Sequence, residues 1–208
     1  NPKIRMTKAL LVKITVLLLT FANAFGQASL ENYQKYFKAG NYDAAKQEIE
    51  QLAILPQYSS NAQVWYYRGE VNLILYANNS KQYYSSLEIA YMSLLKARTT
   101  DVSKQLYNPI NSQLKYMASL YYNRGAIEFN EQKYTVSLST LEKAVELYTL
   151  TESEDNDLYF YCALAAQFSN NMEKAKKYYA ILVDKNYPKP EIYSFLGDLY
   201  RVEKNNEG

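Results

Sequence analysis

Side chains able to do acid–base, nucleophilic or metal chemistry are sparse in this chain. None of its 208 residues is histidine, which removes serine–histidine and cysteine–histidine catalysis and nearly all zinc sites. The one cysteine, Cys162, stands beside Ala163 on an apolar helical face and reads as a small buried hydrophobe. With no second cysteine there is no internal disulfide, so the fold must stand on packing. The glycines, at 26, 40, 69, 125, 197 and 208, are isolated, and no glycine-rich loop cradles a phosphate. The densest acids are Glu152, Glu154, Asp155 and Asp157. Alternate acids suit calcium, but no glycine makes the sharp turn and no bidentate glutamate follows at loop spacing. They read as a solvated linker in which Asp155 or Asp157 caps the next helix. Arg68-Gly69 and Arg124-Gly125 repeat. Two equivalent arginines can grip a ligand carboxylate, or each pairs with an acid on its neighbouring helix and snorkels to water. No catalytic residue, metal ligand set or cofactor motif emerges. The chain reads as a binding protein and not an enzyme.

The elements around these residues are helical. An aromatic, a small residue four on, and another small or aromatic residue three further occur at Tyr159, Ala163, Ala166 and again at Tyr193, Gly197, Tyr200. Residues 163 and 197 are 34 apart, and between them Ala175, Tyr179 and Leu182 mark a second amphipathic helix. The same place falls at Gly125, Gly69 and Tyr33. A second-helix small residue follows twelve later at Ala45, Ser137 and Ala175, but only 21 later at Ala90, so nine extra residues lengthen the second hairpin. The predicted helices are 28–39, 42–54, 61–76, 82–98, 111–130, 134–148, 158–168, 172–184 and 190–202. Stretch 99–109 reads as irregular, and 149–157 as an acidic linker.

These residues resemble the tetratricopeptide repeat (TPR) family. The best matches are Gly40 to Ala45 (GNYDAA), Trp65 with Gly69, the 134–147 run, Ala175 with Tyr179, and Tyr193, Leu196, Gly197 and Tyr200. The resemblance covers residues 28–208. It implies an all-α, helical-hairpin repeat solenoid of about four and a half irregular repeats. Tyr33 and Ser137 depart from the pattern, since the family places small residues there. The closing NNEG reads as a turn about to continue, as in a fragment of a longer protein.

Residues 1–26 differ in kind. Lys3, Arg5, Lys8 and Lys13 are basic, no acid is present, and 14–22 is uncharged and mostly apolar. Small residues end the stretch at Ala22-Asn23-Ala24 and Ala24-Phe25-Gly26. This is the pattern of a cleaved secretory signal peptide. The run is short for a bilayer span, although a retained anchor beginning at Ala9 is the alternative. The expected mature domain is 27–208, with no stable membrane span, exported to a periplasmic or envelope location or secreted. No cysteine follows the cleavage region, so a lipoprotein is not expected. The chain holds 23 basic and 21 acidic residues. Without the four leader bases the net charge is −2, and no basic stripe marks a nucleic-acid site.

In TPR proteins the first helices of successive hairpins line a concave face. The positions the resemblance implies here include Phe37, Tyr66, Leu73, Ile74, Tyr122, Phe129, Phe160 and Phe168. This lining is aromatic and apolar with few charges, and largely lacks the lysine, arginine and asparagine with which family members clamp a peptide carboxylate. It suits a hydrophobic or helical segment of a partner protein. A glycan-binding helical-repeat protein of the cell envelope is the alternative, as is the regulatory repeat region of a longer enzyme. No cofactor and no metal are expected.

Overall fold

The computed structural model describes residues 28–206. The leader and its cleavage sites lie outside the described residues. Those described form nine α-helices and no strand. They are α1 (Leu30–Lys38), α2 (Tyr42–Ala53), α3 (Ala62–Asn78), α4 (Ser86–Thr100), α5 (Tyr107–Asn130), α6 (Tyr134–Leu150), α7 (Asn156–Phe168), α8 (Met172–Asp184) and α9 (Glu191–Asn206). No described helix is long and apolar enough to cross a membrane. The helices group into two compact units, one ending at Ser103 and the other beginning at Lys104. In the first unit α1 packs on α2, α2 on α3 and α3 on α4, and in the second each helix from α5 to α8 packs on the one after it. The all-helical expectation holds, with helices paired as neighbours.

One turn recurs in both units. A residue in the left-handed region closes the α1–α2, α5–α6 and α7–α8 hairpins: Gly40 (φ 72), Gln132 (φ 61) and Asn170 (φ 61). Each lies seven residues after Tyr33, Gly125 and Ala163, and the backbone bonds match. The amides of Asn41, Lys133 and Asn171 donate back to the carbonyls of Tyr36, Glu128 and Ala166 at 3.0, 2.9 and 2.8 Å. This satisfies helix-end carbonyls that would otherwise be orphaned. Gly40 is there for its φ alone, because a Cβ would meet nothing within 4 Å. Asn41 and Asn171 then cap the next helix, their side chains accepting from Ala44 and Lys174 amides at 3.2 Å.

Close helix approach explains two other glycines. A Cβ on Gly69 would sit 2.6 Å from Leu94 Cγ, and one on Gly125 would sit 2.6 Å from Leu141 Cγ and Cδ2. Carbon atoms in contact keep about 3.5–4.0 Å, so α3 on α4 and α5 on α6 pack at glycine-only distance. Leu94 and Leu141 stand four residues after Ala90 and Ser137, so the register set by the nine extra residues is the one that packs. Those residues lengthen α3 through Asn78 and widen the connection to α4. Ser137 is polar at a buried position but satisfied, since its hydroxyl donates to the Gly125 carbonyl at 2.8 Å. Tyr33, 1% exposed, stacks on Tyr67 at 4.7 Å and donates to the Tyr67 carbonyl at 3.2 Å.

Several boundaries differ from expectation. Helix α5 starts at Tyr107, four residues early, with Pro109 in its first turn, where no intrahelical N–H is required. Helix α4 starts at Ser86 and not Gln82, because residues 79–86 close their own turns, Tyr83 N to Asn79 O at 3.0 Å and Ser86 N to Tyr83 O at 2.8 Å. Helix α6 runs on to Leu150, which shortens the acidic linker.

Ala175, on α8, is fully buried, and α8 packs on its hairpin partner α7. Ala175→Leu is expected to cost about 1–3 kcal/mol by overpacking, while the exposed Lys177→Leu stays within about 0.5 kcal/mol. Urea melts giving the same midpoint for both would show that the register of this hairpin is wrong.

Candidate functional site

The residues singled out for chemistry have structural partners. Cys162 is fully buried, and burial pushes its thiol well above the usual range, with Glu142 adding in the same direction. That is an inert packing cysteine. Asp155 caps α7, accepting from the Leu158 amide at 3.2 Å. Asp157 accepts the Tyr187 hydroxyl, and Glu154 pairs with Lys185. No group of three or more acids or cysteines converges as a metal site among the described residues. Arg68 of α3 pairs with Glu50 of α2 at 2.8 Å and donates to Ser93 Oγ at 2.9 Å, as the neighbouring-helix reading requires. Arg124 also pairs one turn along its own helix, with Glu128 at 2.9 Å. The residue three after the glycine differs between the two helices. It is Glu128 in α5, but Asn72 in α3, whose side chain instead donates to the Arg68 carbonyl.

The eight expected groove residues fall into the two units. In the first, Phe37, Tyr66 and Ile74 are half-buried and Leu73 is fully buried. Leu73 is therefore core and offers nothing to a partner. It lies four residues after Gly69, on the stripe that meets α4, and α3 continues past it to Asn78. Beside Tyr66 is a polar cluster. Tyr66 donates to Glu70 Oε1 at 3.0 Å and Tyr33 to Oε2 at 3.4 Å. Gln34 and Gln63 both donate to the Tyr67 hydroxyl, at 3.1 and 3.0 Å. Burial raises the Glu70 carboxyl pKa, and the two phenol bonds oppose this only in part.

In the second unit the four expected residues are joined into one tract. Phe160 of α7 lies 6.4 Å from Tyr161. Tyr161 meets Tyr122 and Phe129 of α5 edge-on, at 5.7 and 5.9 Å. Phe129 meets Tyr134 of α6 at 5.2 Å and Phe168 of α7 at 5.8 Å, and Tyr134 stacks on Phe168 at 5.0 Å. At the other end Tyr187 approaches Phe160 at 6.1 Å, and the Lys189 ammonium lies 3.9 Å from the Phe160 centroid. Edge-to-face and offset contacts at these distances are the favoured geometries. Phe168 is exposed; Tyr122, Phe129, Tyr134, Phe160 and Tyr161 are half-buried. Burial pushes the Tyr122 phenol up to about 12, with Asp155 next among the causes.

Tyr134, Tyr161 and Tyr187 were absent from the expected set. Tyr134 had a signal: it stands two residues after the left-handed turn residue, as Tyr42 does in the first hairpin. The pairs match, Phe37–Tyr42 at 5.4 Å and Phe129–Tyr134 at 5.2 Å, both edge-on. No protein-family model matches the chain, and no curated protein matches it.

Proposed function

We propose that this is an extracytoplasmic, TPR-like repeat scaffold that binds a hydrophobic or helical segment of a partner protein and is not an enzyme. The observation that carries this is the aromatic tract of the second unit. Rings from α5, α6 and α7 share one contiguous set of contacts, yet most keep part of their surface in solvent. A core would bury them, and aromatic residues grouped at a partly wet surface are the usual anchors of an interface. The absence of histidine supports a binding role, and the basic-then-apolar leader supports export.

Selection of a displayed helical-peptide library on the protein tests this. Enriched peptides are expected to carry aromatic or aliphatic residues at i, i+3 or i+4, and i+7. Tyr122→Ala combined with Phe160→Ala is expected to weaken the best peptide by tens-fold, at roughly 1.4 kcal/mol per tenfold, with little change in melting temperature. Unchanged affinity would remove the tract from the binding face. A collapse of the melt would assign these rings to the core.

A further inference from the structure

A second feature of the second unit lies where two hairpin turns come side by side. The α5–α6 and α7–α8 turns enclose an open cleft of about 460 Å³, within the size range of small-ligand sites. Its apolar lining is Phe168, 58% exposed, with Tyr134 and the exposed Val136. One face of the Phe168 ring is stacked on Tyr134 at an interplanar angle of 24°, and Phe129 meets it edge-on. The remaining face looks to solvent. Around it stand Gln132, Thr135, Ser169 and Asn170, which are amides and hydroxyls. The one charged side chain in the lining, Lys133, is paired with Glu131 at 2.7 Å, so the wall is polar without net charge.

A flat ring face bordered by neutral donors and acceptors suits a ligand with an apolar face and many hydroxyls. A pyranose offers polarised C–H groups on one face, which favour the negative face of an aromatic ring. Its equatorial hydroxyls each donate and accept, as side-chain amides and hydroxyls do. From this geometry we infer that the cleft binds a neutral saccharide. One sugar ring stacks on Phe168, and Gln132, Thr135, Ser169 and Asn170 bond its hydroxyls. The cleft lies at one end of the aromatic tract and shares Phe168 and Tyr134 with it, while Tyr122 and Phe160 are outside the cleft lining.

The turn supplies a control that separates binding from folding. Gln132 is left-handed at φ 61, and the equivalent residue of the first unit is Gly40 at φ 72. Gln132→Gly therefore removes an amide from the cleft while relieving an unfavourable backbone conformation.

The experiment titrates the ¹⁵N-labelled protein with maltotriose, cellotriose, laminaritriose and triacetylchitotriose, followed by amide shifts. At least one is expected to move the resonances of residues 132–136 and 168–170 saturably at millimolar concentration or below. Phe168→Ala is expected to weaken that binding about tenfold or more. Gln132→Gly is expected to weaken it several-fold while raising the melting temperature. No saturable shift with any of the four sugars overturns the proposal, as does equal affinity in Phe168→Ala. Shifts produced by sodium phosphate but by none of the sugars also overturn it, and would assign the cleft to anions at the start of α6.

Discussion

Trimming Leu141 to alanine is expected to destabilise the second unit by about 2–5 kcal/mol, and adding a methyl at Gly125 is expected to return part of that loss. Leu141 is fully buried, so its removal leaves a cavity as well as lost transfer energy. In the parent protein the same methyl has nowhere to go, because Leu141 Cγ and Cδ2 lie 2.6 Å from where it would be. Gly125→Ala alone gains about 1 kcal/mol of helix propensity, loses about 1–3 kcal/mol to overpacking, and should come out net destabilising. With Leu141 cut back, the nearest fixed atom is the Leu141 amide nitrogen at 3.4 Å, an ordinary contact. The two changes should therefore couple favourably by about 0.5–3 kcal/mol. Urea denaturation of the parent, both single variants and the double variant measures this directly. Effects that simply add would mean the glycine is not the contact point. Gly69 with Leu94 repeats the geometry and should repeat the result in the first unit.

Alkali is expected to unfold the protein steeply. Tyr33, Tyr178 and Tyr179 are no more than 4% exposed. Burial is the first cause that lifts each phenol far above its usual range, helped by the charge of Glu70 at Tyr33 and by Cys162 and Glu142 at Tyr178. Below about pH 10, both folded and unfolded chains hold these protons and stability is whole. Above it the unfolded chain releases them and the folded one does not, so stability falls as pH rises. Each such phenol removes about 1.4 kcal/mol per pH unit, or about 3 kcal/mol for the pair in the second unit. Tyr122, with its phenol at about 12 and its ring half-buried, adds less. Phenolate absorbance near 295 nm read beside helical circular dichroism tests this. Part of the 23 tyrosines should ionise only as the helices are lost. Titration of all of them near pH 10 with the helices intact would show that these rings are not sealed from water.

The helices were legible because the small residues that permit close approach recur at fixed offsets. Gly69, Gly125, Ala45, Ser137 and Ala175 all lie at buried contacts, and Ala90 gave the register of the lengthened hairpin. Boundaries were less legible where local rules compete. Pro109 looks like a break, although a first helical turn tolerates it, and the stretch before Ser86 looks helical but closes as turns. The expected groove was legible in type more than in detail. Tyr122, Phe129, Phe160 and Phe168 join through Tyr161 and Tyr134, neither of which helical spacing marks as sharing their face. Leu73 failed because a position one turn past a glycine follows the glycine inward. Its counterpart Phe129, near the end of α5, escapes that fate only because α5 stops at Asn130 while α3 runs on.

Packing chiefly between helices adjacent in sequence has a consequence for how the chain acquires its structure. Within each unit nearly every native contact joins segments that are close in sequence, so little loop entropy is lost before contacts begin to stabilise the chain. Each hairpin can form as soon as its second helix exists and then serve as the surface on which the next is laid. Growth of this kind suits a polypeptide that emerges from one end, whether from a ribosome or through a membrane pore. It needs no distant strand or late-arriving terminus to complete the core of the first unit before the second is made.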